Sequence, residues 1–208
     1  MKLLIVDDHP IVRSGLRRLF AGQPEIELFE AASGKEALAL ARSERPDLAI
    51  VDLNLPGMGG FDIIARLVRE EKRPRILVLS MHDDPIFAVR ALEAGADGYV
   101  SKNAPPAQLV EAVARLAKGE TYLAPDLAQQ LALWNLRAPS HPLKDLTRRD
   151  LDILRLLAEG QSIREIAEAL GIGYKTVANH CSQIKAKLGV KRTAELVRIA
   201  LQGGISGA

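Results

Sequence analysis

Cysteine is almost absent from this chain of 208 residues: Cys181 stands alone. A single thiol excludes an intramolecular disulfide framework and fits a reducing compartment. No apolar stretch approaches the ~20 residues that a membrane-spanning helix needs. The apolar run at the N-terminus, Leu3–Val6, is far too short for a secretory signal and runs straight into acids. Internal repeats and low-complexity tracts are missing as well. With 48% hydrophobic and 26% charged residues, the composition is that of a soluble globular protein. The expectation is a cytoplasmic chain of one large or two modest domains, without a membrane partner.

The net charge of +2 hides an asymmetry. Residues 1–120 carry 16 Lys and Arg against 18 Asp and Glu, whereas residues 144–208 carry 11 against 7. An acidic first part joined to a basic last part suggests a control module and a polyanion-binding module.

In the first 120 residues, short apolar runs (KLLIV, IELFEA, DLAIVD, RILVLS, GYVS) alternate with stretches of helical periodicity such as GKEALALARS and PIFAVRALEAG. Five such alternations predict βαβ units and a doubly wound five-stranded parallel sheet. Ligands of such sheets sit beyond the carboxyl ends of the strands, where strand order reverses. That rule selects Asp7 and Asp8 after the first strand, Asp52 after the third, Ser80 after the fourth and Lys102 after the fifth. One such Asp is ordinary turn chemistry. Four strand ends carrying acid, acid, hydroxyl and ammonium together are much harder to explain that way.

Adjacent carboxylates repel unless something positive sits nearby. Three converging carboxylates call for a hard cation with oxygen ligands, and Mg²⁺ fits, with Lys102 as a second positive charge. Asp52 then suits in-line attack on phosphorus. The loop DLNLPGMGG shapes the pocket rim, which His9 and His82 flank.

The segment APDLAQQLALW predicts a connecting helix, with Trp134 packing it against a domain, and RAPSHPLKD breaks it at about 137–144. The rest reads as helices. Thr147 with Asp150 and Ser162 with Glu165 have capping-box spacing. GIG at 171–173 separates a helix from a second one whose inward stripe is Val177, Cys181, Ile184 and Leu188. This is the helix-turn-helix pattern. The second helix then turns Lys175, Thr176, Ala178, Asn179 and Ser182 toward DNA, with Lys185 and Lys187 flanking for phosphates. Cys181, on the inward stripe, reads as a buried inert thiol.

Residues 2–118 resemble the receiver domains of bacterial response regulators, which have a flavodoxin-like fold. The resemblance implies Asp7 and Asp8 as the metal-binding pair and Asp52 as the phosphorylated aspartate. It also implies that the carbonyl of Asn54 completes the metal shell, Ser80 and Tyr99 are the switch pair, and Lys102 pairs with the phosphate. Asn103 stands where many receivers have proline. About 146–200 is similar to the LuxR-type output domain of NarL/FixJ regulators, through LT-x-R, EIA-x-x-L, TV-x-x-H, KLGV and AELV. The family usually has Lys at the position of Ala178 and often Asn at that of Ile163, so the operator cannot be borrowed from relatives.

The expected architecture is therefore a receiver (1–120), a linker with a helix (121–144) and a small all-α DNA-binding domain (145–208). The resemblance implies a two-component regulator. A sensor histidine kinase would phosphorylate Asp52, Ser80 and Tyr99 would shift inward, and the chain would dimerise on a two-half-site DNA operator. One rival is a DNA-binding protein that ignores phosphorylation and uses its receiver only to dimerise; the complete pocket argues against it. The other, a phosphoaspartyl hydrolase, lacks a general acid beside Asp52 and fits poorly with a helix-turn-helix.

Overall fold

Leu3 to Val6 and Leu48 to Val51 are buried residue by residue, with no polar alternation. That pattern belongs to strands covered on both faces. The structure, a computed structural model, describes residues 1–81, 85–137, 143 and 145–202; side chains are described except at 133–137, 148 and 202. The expected positions of His82, the Trp134 side chain and most of the 137–144 break lie outside the described residues.

The first unit contains β1 (Lys2–Val6), α1 (Pro10–Phe20), β2 (Glu27–Ala31), α2 (Gly34–Glu44) and β3 (Leu48–Val51). The chain continues with α3 (Gly60–Leu67), β4 (Arg75–Ser80), α4 (Pro85–Ala94), β5 (Gly98–Ser101), α5 (Pro106–Ala117) and β6 (Tyr122–Leu123). The sheet is wholly parallel, in the order β2-β1-β3-β4-β5-β6. Leu3, Ile5, Ile50, Leu77 and Val100 share one core with Leu16 and Phe20 of α1 and Leu109, Val113 and Leu116 of α5. Strand alternation sends Leu4, Val6, Ala49 and Val51 to the opposite face, where α2 packs with α3.

The expectation of five strands needs one correction, because β6 is a sixth. It pairs Gly98 with Tyr122 and Tyr99 with Leu123 inside the segment expected to be linker. Two residues carry no readable periodicity; Tyr122 earns its place by burial in the α1–α5 core. The connecting helix is α6 (Pro125–Arg137).

The second unit holds α7 (Arg148–Ala158), α8 (Ile163–Leu170), α9 (Tyr174–Leu188) and α10 (Thr193–Gln202). Both expected capping boxes are formed, Thr147 with Asp150 and Ser162 with Glu165; each cap is worth about 1 kcal/mol. Gly171 closes α8 in the left-handed conformation, φ 63°, which a residue with a Cβ adopts only at a cost. The core is built from Leu151, Leu154, Ile166, Val177, Ile184 and Leu196, all fully buried.

Gly60 opens α3 directly beneath the end of β3. A Cβ there would lie 2.4 Å from the Asp52 carbonyl oxygen and 2.5 Å from Leu53 Cα, and backbone on both sides cannot yield cheaply. Gly60→Ala is expected to destabilise the first unit by about 3 kcal/mol, read as a lower urea midpoint; an unchanged midpoint would refute this close approach.

Candidate functional site

The chain runs β1, β2, β3, but in the sheet β3 lies on the other side of β1 from β2, so strand order reverses between β1 and β3. Asp7 and Asp8 follow β1, and Asp52 follows β3 with its N–H donating to the Val6 carbonyl at 2.9 Å. Ser80 ends β4, and Lys102 follows β5 with its N–H donating to the Ser80 carbonyl at 2.8 Å. Lys102 reaches back over the end of β4. Its Nζ lies 2.7 Å from Asp7 Oδ2 and 2.7 Å from Asp52 Oδ2. The three side chains are 10%, 3% and 1% exposed.

The other oxygens are held locally. Asp7 Oδ1 accepts from the His9 N–H at 2.8 Å, and Asp52 Oδ1 from the Asn54 N–H at 3.1 Å. Arg13, which no sequence signal singled out, donates to the Asp7 carbonyl at 2.7 Å and pairs with Glu30. Asp8 differs. Its Oδ1 is buried without a hydrogen-bond partner; His9 Nδ1 comes within 2.8 Å but not in line for a ring N–H bond. Potential ligand atoms of Asp7, Asp8, His9 and Asp52 lie within 4.8 Å of one another. An unsatisfied carboxylate oxygen beside two more carboxylates suits a hard cation, so this cluster can hold a metal ion.

Burial pushes the Asp52 carboxyl above its ordinary value, against the pull of Lys102. Burial also disfavours the Lys102 ammonium, but Asp52 and Asp7 outweigh it and raise Lys102 above its ordinary value. Lys102 therefore carries its charge at neutral pH. For Asp7 and Asp52 this ammonium is a positive partner already in place; Asp8 is in neither pair and lies beside His9. Ser80 and Tyr99, expected to move inward on activation, are already 0% and 1% exposed. Among the described residues no peptide bond is cis, that between Lys102 and Asn103 included.

In the second unit, α9 buries Val177, Cys181 and Ile184, while Leu188 is half-buried. Burial raises the Cys181 thiol above its ordinary value, which suits an inert packing role. Lys175, Thr176, Asn179 and Ser182 are exposed, Ala178 and Lys185 partly so. The Ser182 hydroxyl donates to the Ala178 carbonyl at 3.1 Å. Lys187, expected to reach a DNA phosphate, lies 2.6 Å from Asp150 of α7. The sequence marks Asp150 by its capping-box spacing alone.

A carboxylate cluster at the switch point of a parallel sheet, followed by a separate helix-turn-helix unit, defines a signal-receiving DNA-binding regulator. Residues 3–114 match the family described as response regulator receiver domain, and residues 144–200 the bacterial regulatory proteins of the luxR family. The chain belongs to the response regulators in which a receiver domain precedes a LuxR-type DNA-binding domain. It is 40% identical over 199 residues to the methanol utilization control regulatory protein MoxX of Paracoccus denitrificans, covering 95% of this chain and 89% of that protein. It is 39% identical over 214 residues to the transcriptional activator protein ExaE of Pseudomonas putida, covering 99% and 98%. Among solved structures it is similar to RcsB of Salmonella enterica serovar Typhimurium, bound to promoter rprA in the presence of phosphomimetic BeF3-. That match has TM-score 0.74 and 25% identity, covering 96% of this chain and 97% of that one. The chain is thus homologous to transcriptional regulators of two-component systems.

Lys102→Ala would leave two buried carboxylates without their cation, at an expected cost of about 3–5 kcal/mol. The loss should grow with pH. A carboxyl whose folded pKa is raised contributes stability below the unfolded value, and that contribution disappears as pH climbs through the folded value. Urea midpoints of wild type and variant at about pH 5 and about pH 8, without divalent cations, should diverge at the higher pH; a constant gap would contradict this account of the pocket.

Proposed function

We propose that Asp52 accepts a phosphoryl group from the phosphohistidine of a sensor histidine kinase, and that this switches dimerisation and DNA binding by α9. The observation that carries the reading is the convergence of Asp7, Asp8 and Asp52 on one pocket with Lys102 bridging two of them at 2.7 Å. A carboxylate oxygen of Asp52 attacks phosphorus, the phosphorus–nitrogen bond breaks, and its electron pair returns to the donor imidazole. Asp7, Asp8, Asp52 and the carbonyl of Asn54 would hold Mg²⁺, which supplies charge neutralisation for the phosphoryl oxygens. Lys102 then exchanges a carboxylate partner for a phosphoryl oxygen, and Ser80 offers its hydroxyl to another.

That exchange alters the contacts that hold β4 and β5 ends against β3, with Tyr99 on β5 as the reporter. The chain acts as a two-state switch rather than an enzyme: phosphorylation biases an existing equilibrium by stabilising one state more than the other. In the output domain, Lys175, Thr176 and Lys185 would meet phosphates, while Asn179 and Ser182 read base edges and Ala178 packs against the groove. The active form is a cytoplasmic homodimer on a two-half-site duplex. The phosphomimetic RcsB–promoter structure supports this reading by similarity. No observation favours a receiver that ignores phosphorylation, since every member of the pocket set is present.

After acetyl phosphate and Mg²⁺, intact-mass spectrometry should show one added phosphoryl group on wild type and none on Asp52→Asn. With beryllofluoride and Mg²⁺, light scattering should show the mass of wild type doubling and that of Asp52→Asn unchanged. Phosphoryl addition to the variant would overturn Asp52 as acceptor; equal masses throughout would overturn the dimer switch.

A further inference from the structure

Asp150 is fully buried, yet its carboxylate is ionised. Burial opposes the charge, but hydrogen bonds from Lys187, Thr147 and His180 outweigh that and hold its pKa below the ordinary carboxylate value. Oδ2 accepts from the Thr147 N–H at 2.9 Å and from Lys187 Nζ at 2.6 Å. Oδ1 lies 2.8 Å from His180 Nδ1, which donates, because an ionised carboxylate can only accept. One side chain of α7 therefore grips α9 at two residues, seven positions and about 10.5 Å apart along the helix.

Helix periodicity gives this grip its meaning. At about 100° per residue, Lys187 falls about 20° from His180 on the helix surface. Both lie away from the face carrying Lys175, Asn179 and Ser182. The apolar stripe of Val177, Cys181 and Ile184 attaches α9 to its neighbours, but the apolar driving force is non-directional and fixes rotation about the helix axis less sharply than directed bonds. Two charge-assisted hydrogen bonds at 2.6 and 2.8 Å add that direction.

The geometry points to Asp150 as a positioning residue for DNA recognition: through His180 and Lys187 it sets the rotation of α9 that presents Asn179 and Ser182, and Lys187 belongs to this tether rather than to a DNA phosphate. The inference rests on reading α9 as the recognition helix. It assigns operator discrimination to a residue that touches no DNA.

The test uses the full-length chain treated with beryllofluoride and Mg²⁺. One probe is the duplex that wild type enriches from a random-sequence pool; the other is a mixed-sequence duplex. Asp150→Asn, His180→Gln and Lys187→Met are compared by affinity for both probes and by the salt dependence of binding. Circular dichroism establishes that each variant is folded, and the two α9 variants decide the matter if Asp150→Asn does not fold. Expected is a loss of about tenfold on the enriched duplex, little change on the mixed-sequence duplex and an unchanged salt slope. Asp150→Asn combined with Lys187→Met should be no weaker than the weaker single variant, because both cut the same tether. A phosphate contact predicts otherwise: Lys187→Met would weaken both duplexes alike and reduce the salt slope by about one, overturning the tether. Folded variants that keep wild-type discrimination would overturn it too. If wild type enriches no duplex at all, α9 as recognition helix is what has failed.

Discussion

The ammonium of Lys102 is the charge on which the first domain depends. Burying one carboxylate without a partner costs several kcal/mol, and this fold buries two, Asp7 and Asp52, side by side at the carboxyl edge of the sheet. A lysine two strands away from Asp52 makes that tolerable because its stem is long enough to cross the end of β4 between them. The arrangement is balanced but incomplete. Asp8 retains a buried oxygen without a hydrogen-bond donor, and burial still holds Asp52 above its ordinary pKa. A carboxylate oxygen left unsatisfied beside two further carboxylates is a site suited to a hard cation.

The output domain uses the same physics for another end. Asp150 is again a buried carboxylate, but here every oxygen is satisfied, by a backbone N–H, an imidazole and an ammonium. Fully satisfied polar networks confer rigidity and geometric uniqueness. The first domain thus carries a carboxylate cluster with one oxygen unsatisfied, and the second a buried carboxylate with both oxygens satisfied.

Much of this was legible in the chain itself. Parallel strands buried on both faces appear as unbroken apolar runs, so KLLIV, DLAIV and RILVLS announced themselves. The strand-end rule then collected Asp7, Asp8, Asp52, Ser80 and Lys102 without any knowledge of distances. Caps were equally readable, since Thr147 with Asp150 and Ser162 with Glu165 obey a local spacing. What escaped was short or non-local. β6 has two residues, too few to show a period, and it exists because Tyr122 completes a core built from residues far away in the chain. Arg13 carries no local mark of its bond to the Asp7 carbonyl.

Local order, the alternation of strand and helix, and the membership of the carboxylate pocket were determined by the sequence, because each depends on residue type at fixed short spacing. Partner choice was decided only by the tertiary structure. Nothing in the local sequence keeps Lys102 from facing solvent, and Lys187 reads in sequence as one more basic residue of a DNA-binding helix. Which carboxylate an ammonium meets depends on where strands and helices pack in space, 95 residues apart for Lys102 and Asp7 and 37 for Lys187 and Asp150. Charge attraction acts through space, and the sequence records only distance along the chain.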